Sequence, residues 1–224
     1  MNLEAAGGSG LSGQSHDTTH VGQSDPNDVA QEDVLRAQIY GLLARVMSEP
    51  MSDETLEIVR GLNKSDDRSA IGASLKAIGD VAVRTPRIKA EEEYSALFFG
   101  MGSGGEIHPY GSYYLTGFIY ERPLADLRRD LASLGIQRSG VSKEPEDHIA
   151  FLCEVMHGLI TGKFGAAASL QQQMDFFNRH IADWAVKFFE DMEIAKSAVL
   201  YMPVGTLGKL FVKVEAEAFG MTAA

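Results

Sequence analysis

The stretch EPEDHIAFLCEVMHGL, residues 144–159, places acids, a proline and a histidine directly before an amphipathic segment. Its apolar side chains recur at three- and four-residue spacing, which predicts one buried helical stripe: Ile149, Leu152, Met156 and Leu159. Pro145 suits a first helical turn, where its missing N–H has no helical partner. The stretch therefore predicts a buried helix that opens with acids, which are favoured at the positive end of the helix dipole. Such a cluster can hold a cation, titrate near neutrality or cap the helix.

The same helical periodicity recurs along most of the chain, and we find no convincing alternating strand pattern. It predicts an all-α fold, a single helical bundle-like domain of about eight to ten helices covering residues 25–220. One helix is predicted to run without interruption through LQQQMDFFNRHIADWAVKFFEDM, residues 170–192. The main apolar stripes are Leu35, Ile39, Leu42, Leu43 and Val46; Leu124, Leu127, Leu131 and Leu134; Leu170, Met174, Phe177, Ile181, Trp184 and Phe188; and Leu207, Leu210, Phe211 and Val214.

The amino-terminal residues 1–24 differ from the rest in composition. They are rich in glycine and serine and poor in large apolar side chains, so we expect a disordered tail. Asp25 and Pro26 suit the cap and first turn of the first helix.

Composition narrows the range of partners. The formal net charge is -11 and the sequence pI about 5.0, which disfavours nonspecific binding to nucleic acid or to anionic membranes. There is no run of 18 apolar residues and no secretory signal, so we expect no membrane insertion and a cytoplasmic location. Cys153 is the only cysteine, which excludes an intrachain disulfide, and its place beside an apolar stripe predicts a buried, unreactive thiol.

The motifs argue against an enzyme. Asp147 and His148 are the tempting pair, but neighbours on a helix point about 100° apart. No Gly-x-Ser-x-Gly elbow occurs, and the glycine-rich residues 100–112 lack the lysine of a phosphate loop. His148 and His157 are nine residues apart, which is not a zinc-binding spacing. We therefore predict no catalytic residue, no metal site and no cofactor.

Peptide binding accounts better for the acidic cluster. Carboxylates can take arginine guanidinium groups in bidentate fashion, and a hydrophobic groove between helices can take an apolar segment that follows. Two alternatives remain at this point: the acids cap the helix and do nothing else, or an acidic face binds a folded partner as a generic adaptor.

Three stretches resemble the TorD/DmsD/NarJ family of redox-enzyme maturation chaperones. EPEDH at 144–148 is similar to the family's acidic Asp-His signature. YSALFFG at 94–100 and HPYGSYYL at 108–115 resemble its Tyr-x-x-Leu-Phe and Pro-Tyr-x-Ser stretches. FFNRHIADWAVKFF at 176–189 resembles its Phe-x3-His-x3-Trp-x3-Phe helix.

The resemblance implies a TorD-like, cytoplasmic chaperone. Such proteins bind the twin-arginine signal peptide, or the apoprotein, of a molybdopterin-dependent oxidoreductase and assist cofactor insertion before export or assembly. The implied partner is therefore the catalytic subunit of such an enzyme. Family members also form domain-swapped homodimers, so residues 100–112 or 136–143 are candidate hinges.

The resemblance also implies the site residues. It places Asp147 and His148 in the peptide site, and the ordinary pKa of histidine, near 6.5, would make affinity pH-dependent. We add Glu144 and Glu146 from their charge. Apolar contacts and the adjoining loop are assigned to Leu97 and Phe98, with Tyr94 nearby, and to Pro109, Tyr110 and Ser112.

Overall fold

The computed structural model describes residues 31–100, 104–137 and 144–222. The predicted tail, the predicted helix start at residues 25–26 and most of the second candidate hinge lie outside these ranges. The described residues form ten α-helices, and the all-α prediction is confirmed. They are α1 Gln31–Ser48, α2 Asp53–Gly61, α3 Ala70–Ala82, α4 Arg87–Tyr94, α5 Gly111–Thr116, α6 Arg122–Ser133, α7 Ile149–Thr161, α8 Leu170–His180, α9 Ala182–Ile194 and α10 Tyr201–Thr222.

Two shorter helical turns extend this order. A 3₁₀ turn at Leu62–Lys64 follows α2, and a π-helical turn at Ser95–Phe99 continues α4. Serine side chains begin several helices: the Ser52 and Ser69 hydroxyls accept N–H groups of α2 and α3, and Ser169 forms a capping box with Gln172. These caps satisfy N–H groups that have no partner inside the helix.

The predicted central helix, α7, lies in the core against α1. The two are also joined by a side chain, because His157 Nδ1 lies 2.8 Å from the Ala37 carbonyl oxygen. Cys153 is buried on the same helix, and burial raises the pKa of its thiol to about 12. The predicted burial of Cys153 is therefore confirmed, and a raised thiol pKa disfavours the reactive thiolate. Among the described residues, no helix combines the length and the apolar character that crossing a bilayer requires.

The start of α7 differs from the prediction. The helix begins at Ile149, and His148 is its N-cap with an extended backbone at φ -65° and ψ 134°. Pro145 and the acids therefore precede the helix instead of forming its first turn. The reason is tertiary, since backbone groups next to His148 pair with a second segment and cannot join a helical ladder.

The predicted 170–192 helix is also interrupted. It divides into α8 and α9 at Ile181, whose backbone leaves the helical region at φ -125° and ψ -48°. The His180 carbonyl accepts the indole N–H of Trp184 at 2.7 Å, while the Trp184 backbone N–H donates to Ile181. A side chain thus takes the place of one bond in the helical ladder, which periodicity alone does not show.

A buried carboxylate begins α10. Glu93 on α4 is 9% exposed, and its two oxygens accept the backbone N–H groups of Val199, Leu200 and Tyr201 at 2.7–3.0 Å. Negative charge is favoured at a helix N-terminus, and these charge-assisted bonds fix α10 to α4. Pro203 then lies in the first turn of α10, where a proline is tolerated.

Replacing Glu93 by Gln should lower the free energy of unfolding by about 2 kcal/mol, because the amide loses the charge and turns one N–H donor toward backbone donors. Urea unfolding followed by circular dichroism measures this loss. Glu92→Gln is the matched control, since that exposed neighbour contacts only Lys89 in the described residues. Equal stabilities of the two variants would contradict the assigned role of Glu93.

His180 is the second buried polar group that joins helices. Its Nε2 lies 2.7 Å from Asp130 Oδ2 on α6, and its side chain is 7% exposed. Burial lowers the pKa of His180 below 6.5, although the bond to Asp130 opposes the shift. His180 is thus a hydrogen-bonded histidine at the boundary of the core.

The lowered pKa predicts loss of stability in acid. Because the folded-state pKa lies below the unfolded value of 6.5, the unfolded chain binds more protons as the pH falls through and below that value. The free energy of unfolding should therefore decrease between about pH 7.5 and pH 5.5. In the variant His180→Gln, the free energy of unfolding should decrease by less over this pH range. Urea titrations at both pH values measure the difference. A variant that keeps the full decrease would show that His180 does not contribute to it.

Candidate functional site

Two segments that the sequence places far apart form one site. Residues 109–111 pair with residues 147–149 through an isolated antiparallel bridge between Tyr110 and His148. Its backbone bonds, of 3.0 and 2.9 Å, run from the Gly111 N–H to the Asp147 carbonyl and from the Ile149 N–H to the Pro109 carbonyl. The stretches HPYGS and EPEDH, which the resemblance assigned to one peptide site, are thus in contact.

Asp147 holds this junction together. Its Oδ2 accepts the backbone N–H of Ser112 at 2.7 Å, and its side chain is buried, with 3% of the residue exposed. Gly111 permits the close approach of α5 to α9, because a Cβ there would lie 3.0 Å from Nε1 of Trp184. Asp147 Oδ1 and Ser112 Oγ are buried without a hydrogen-bond partner in the described part of the chain.

The side chain of His148, like that of Asp147, is buried and accepts a backbone N–H. Its Nδ1 accepts the backbone N–H of Ala150 at 3.1 Å, and the residue is 6% exposed. Its ring packs edge-on against Tyr110 at 5.3 Å between centroids. Asp147 and His148 therefore bond to backbone groups on opposite sides of the bridge, which is not the geometry of a base and its orienting acid.

The two glutamates are the more accessible acids of the site. Glu144 accepts the hydroxyl of Tyr110 at 2.5 Å, and burial together with this bond raises the tyrosine's pKa. Glu146 Oε2 accepts Nε and Nη2 of Arg128 at 3.0 and 2.7 Å. The Arg128 side chain is 54% exposed, so this guanidinium covers the carboxylate from the solvent side. Its bond to Glu146 raises the pKa of Arg128.

The predicted apolar contacts lie behind the site instead of on its surface. Leu97 is 0% exposed, Tyr94 2% and Phe98 9%. Tyr94 donates its hydroxyl to the Met47 carbonyl at 3.1 Å, and the nearby charge of Glu144 adds to the effect of burial in raising its pKa. In this conformation the three are core residues, and direct contact with a partner stays a prediction for them. Phe99, which follows them, is 53% exposed.

An apolar surface that the sequence pattern did not indicate lies near the acids. We call it the 115–120 patch: Leu115, Phe118, Ile119 and Tyr120, which are 44%, 69%, 43% and 63% exposed. Tyr120 lies close enough to Tyr110 and Arg128 to influence the pKa of both. The helix α5 does not reach residues 118–120, because it ends at Thr116 and Gly117 follows as its left-handed C-cap. Tyr120 then adopts a positive φ of 64°, which is uncommon for a bulky residue.

The comparisons with known proteins agree with this architecture. The sequence model of the nitrate reductase delta subunit family matches residues 64–190, more than half of the chain. The chain belongs to this family. The match begins at Lys64, the last residue of the 3₁₀ turn after α2, ends within α9 and includes both segments of the bridge.

Curated relatives of the family carry a chaperone name. The chain is 22% identical over 199 residues to the chaperone protein TorD of Vibrio parahaemolyticus, covering 80% of this chain and 92% of that protein. It is 24% identical over 183 residues to TorD of Aliivibrio fischeri, covering 73% and 85%. These likenesses support a maturation chaperone and not an enzyme.

A solved structure shows the same fold. It is a protein of Archaeoglobus fulgidus described as a candidate redox enzyme maturation protein, with a TM-score of 0.56 and 18% sequence identity. The match covers 80% of this chain and 94% of that one. The TorD-like fold expected from the sequence is therefore confirmed.

The site geometry predicts separate effects for two substitutions of Asp147. Asp147→Ala should lower the free energy of unfolding by about 2 kcal/mol, because the Ser112 N–H is left buried and unpaired. Asp147→Asn keeps an oxygen for that N–H and should cost roughly half as much or less. Urea unfolding of both variants measures the difference. Equal losses would mean that the charge of Asp147, and not its bond to Ser112, stabilises the junction.

Proposed function

We propose that this chain binds the twin-arginine signal peptide, or the apoprotein, of a molybdopterin-dependent oxidoreductase and assists cofactor insertion before export or assembly. The observation that supports the proposal is an ion pair between Glu146 and the half-exposed Arg128, which lies close to an exposed apolar patch. Glu146 holds Arg128, and Tyr120 of the 115–120 patch lies beside Arg128. A signal peptide with arginines followed by an apolar run has the complementary order of groups.

The first step of binding is an exchange of guanidinium groups. Arg128 makes two N–H bonds to one oxygen of Glu146 and is more than half exposed, so it can swing into solvent. An arginine of the peptide can then take its place on Glu146, with Glu144 nearby as a second carboxylate. Asp147, which is buried, adds negative potential and holds the bridge in place without contacting the peptide in this conformation.

The second step places the apolar run. The 115–120 patch presents two aromatic and two aliphatic side chains to solvent, and their burial by a partner is favourable. In this proposal the apolar run first contacts the exposed patch, while contact with the buried Leu97 and Phe98 stays a prediction. Tyr94, Leu97 and Phe98 lie in the core, where the rings of Tyr94 and Phe98 are in contact at 4.9 Å between centroids.

The exchange predicts opposite effects from the two sides of one ion pair. Glu146→Gln should weaken binding of a labelled synthetic signal peptide about tenfold, because one carboxylate for its arginines is lost. Arg128→Gln should strengthen binding roughly threefold or more, because the competing guanidinium is removed. Fluorescence anisotropy with a two-arginine peptide and its two-lysine counterpart measures both changes.

Arg129→Gln provides the matched control for this experiment. It removes the same charge from the next residue of α6, where the arginine pairs with Asp126 and not with Glu146. If Arg128→Gln and Arg129→Gln change affinity equally, only net charge matters and the exchange is disproved. If the two-lysine peptide binds as well as the two-arginine peptide, the acidic face acts as a generic adaptor, and the signal-peptide function is rejected.

A further inference from the structure

One residue beside the acidic site has a backbone conformation that its type rarely adopts. Tyr120 has a φ of 64°, in the left-handed region, and every other residue of the described ranges with a positive φ is a glycine. In this region the Cβ atom of a side chain crowds the following carbonyl oxygen, which glycine avoids. The tyrosine therefore imposes a backbone strain that a glycine at the same position would not.

Packing does not offset this strain. The side chain of Tyr120 is 63% exposed, so it contributes little to the core. Gly117, three residues earlier, has a φ of 86° and ends α5, so the same loop has a glycine where only the turn matters. Strained residues cluster at ligand-binding sites, and one that is also exposed indicates a role of its side chain at the surface.

The loop places Tyr120 on the Arg128 side of the site. Tyr120 directly precedes Glu121, the N-cap of α6. Because helix side chains tilt toward the N-terminus of their helix, Arg128 extends toward the end of α6 at which Tyr120 lies. The bond to Glu146 raises the pKa of Arg128, and Tyr120 adds to this rise, so the phenol is within electrostatic reach of the guanidinium.

Tyr120 also lies near the second carboxylate of the site. Burial and the bond to Glu144 raise the pKa of Tyr110, and Tyr120 adds to that rise as well. The Tyr110 hydroxyl donates to Glu144, and the Arg128 guanidinium donates to Glu146. The exposed ring is therefore close to both of the groups that now occupy the two carboxylates.

We propose that Tyr120 selects arginine over lysine at this site, by packing its ring against the guanidinium that a peptide arginine places on Glu146. The inference rests on the proposed function, because it assigns a specificity-determining residue to the same exchange of guanidinium groups. A guanidinium is planar, weakly hydrated and stacks on aromatic faces, whereas the ammonium of lysine is a compact, strongly hydrated charge. Stacking therefore stabilises the arginine complex more than the lysine complex.

The first test compares the two-arginine and two-lysine peptides by fluorescence anisotropy. Tyr120→Leu removes the aromatic face but keeps an apolar side chain. Its affinity for the two-arginine peptide should fall about fivefold, and its affinity for the two-lysine peptide by less than about twofold. Tyr120→Phe keeps the face and should retain the preference for arginine. If Tyr120→Leu weakens both peptides equally, or if Tyr120→Phe loses the preference as fully as Tyr120→Leu does, the inference is wrong.

Phe118→Leu is the matched control. Phe118 is an aromatic residue of the same 115–120 patch, 69% exposed, and its φ is not positive. The variant should lower affinity for both peptides by the same factor, because the patch contacts the apolar run that both peptides share. A loss of arginine preference as large as that of Tyr120→Leu would mean that any ring of the patch suffices, and would overturn the assignment to Tyr120.

Tyr120→Gly separates binding from folding. It relieves the left-handed backbone, so the midpoint of thermal unfolding should rise by about 2 °C. It also removes the ring, so affinity for the two-arginine peptide should fall about fivefold. Opposite signs would show that weaker binding does not come from a weaker fold. A lower midpoint would show that the tyrosine stabilises the fold, and would overturn its assignment to binding.

A small probe distinguishes failure of this inference from failure of the proposed function. Acetyl-arginine amide and acetyl-lysine amide are titrated into Arg128→Gln, which lacks the guanidinium that competes for Glu146. Nuclear magnetic resonance follows the Tyr120 ring signals, which are assigned from their loss in Tyr120→Gly. A saturable shift with the arginine compound alone supports the inference. Equal shifts with both compounds, or none, overturn it even where the two-arginine peptide binds. If the ring responds to the arginine compound but neither peptide binds, the proposed function fails and the selectivity of Tyr120 stands.

Discussion

The arrangement of the acidic site depends on two backbone hydrogen bonds between residues 109–111 and 147–149. They prevent α7 from extending toward the amino terminus, and they hold the first residue of α5 next to the first residue of α7. Asp147 reinforces the junction by accepting the Ser112 N–H, so one residue links both segments through its main chain and its side chain. Each buried hydrogen bond of this kind adds only modest net stability. Its loss is nevertheless costly, because it leaves unpaired polar groups in the core, and the bonds therefore fix the positions of the two segments.

That constraint separates the residues that build the site from those that can meet a partner. Asp147 and His148 carry the most suggestive chemistry in the sequence, yet both are committed to backbone groups of the junction. The charged groups that solvent reaches are the carboxylates of Glu144 and Glu146 and the guanidinium of Arg128. This division suits a protein that binds and releases another chain, since an exposed ion pair can exchange partners at small cost while the junction stays intact.

The chain also has two distinct exposed apolar surfaces. The 115–120 patch lies where α5 ends at Thr116, with Gly117 as its C-cap. A second apolar surface is a groove lined by Leu35, Leu170 and Val214. A partner that contacts two surfaces of one chain gains affinity, because the second contact forms at a high effective concentration. The nitrate reductase delta subunit family and the relatives named TorD place this chain among maturation chaperones.

The sequence by itself determined the helical class, the approximate helices and the burial of Cys153. Those features depend on local periodicity, capping and motif order, which are written in neighbouring residues. Only the tertiary structure decided that α7 begins at Ile149, that Trp184 interrupts the 170–192 helix, and that Leu35 remains exposed. Each of these features depends on how segments that are distant in the sequence pack together. The sequence shows that a helix has an apolar stripe, but it does not show which surface, if any, packs against that stripe.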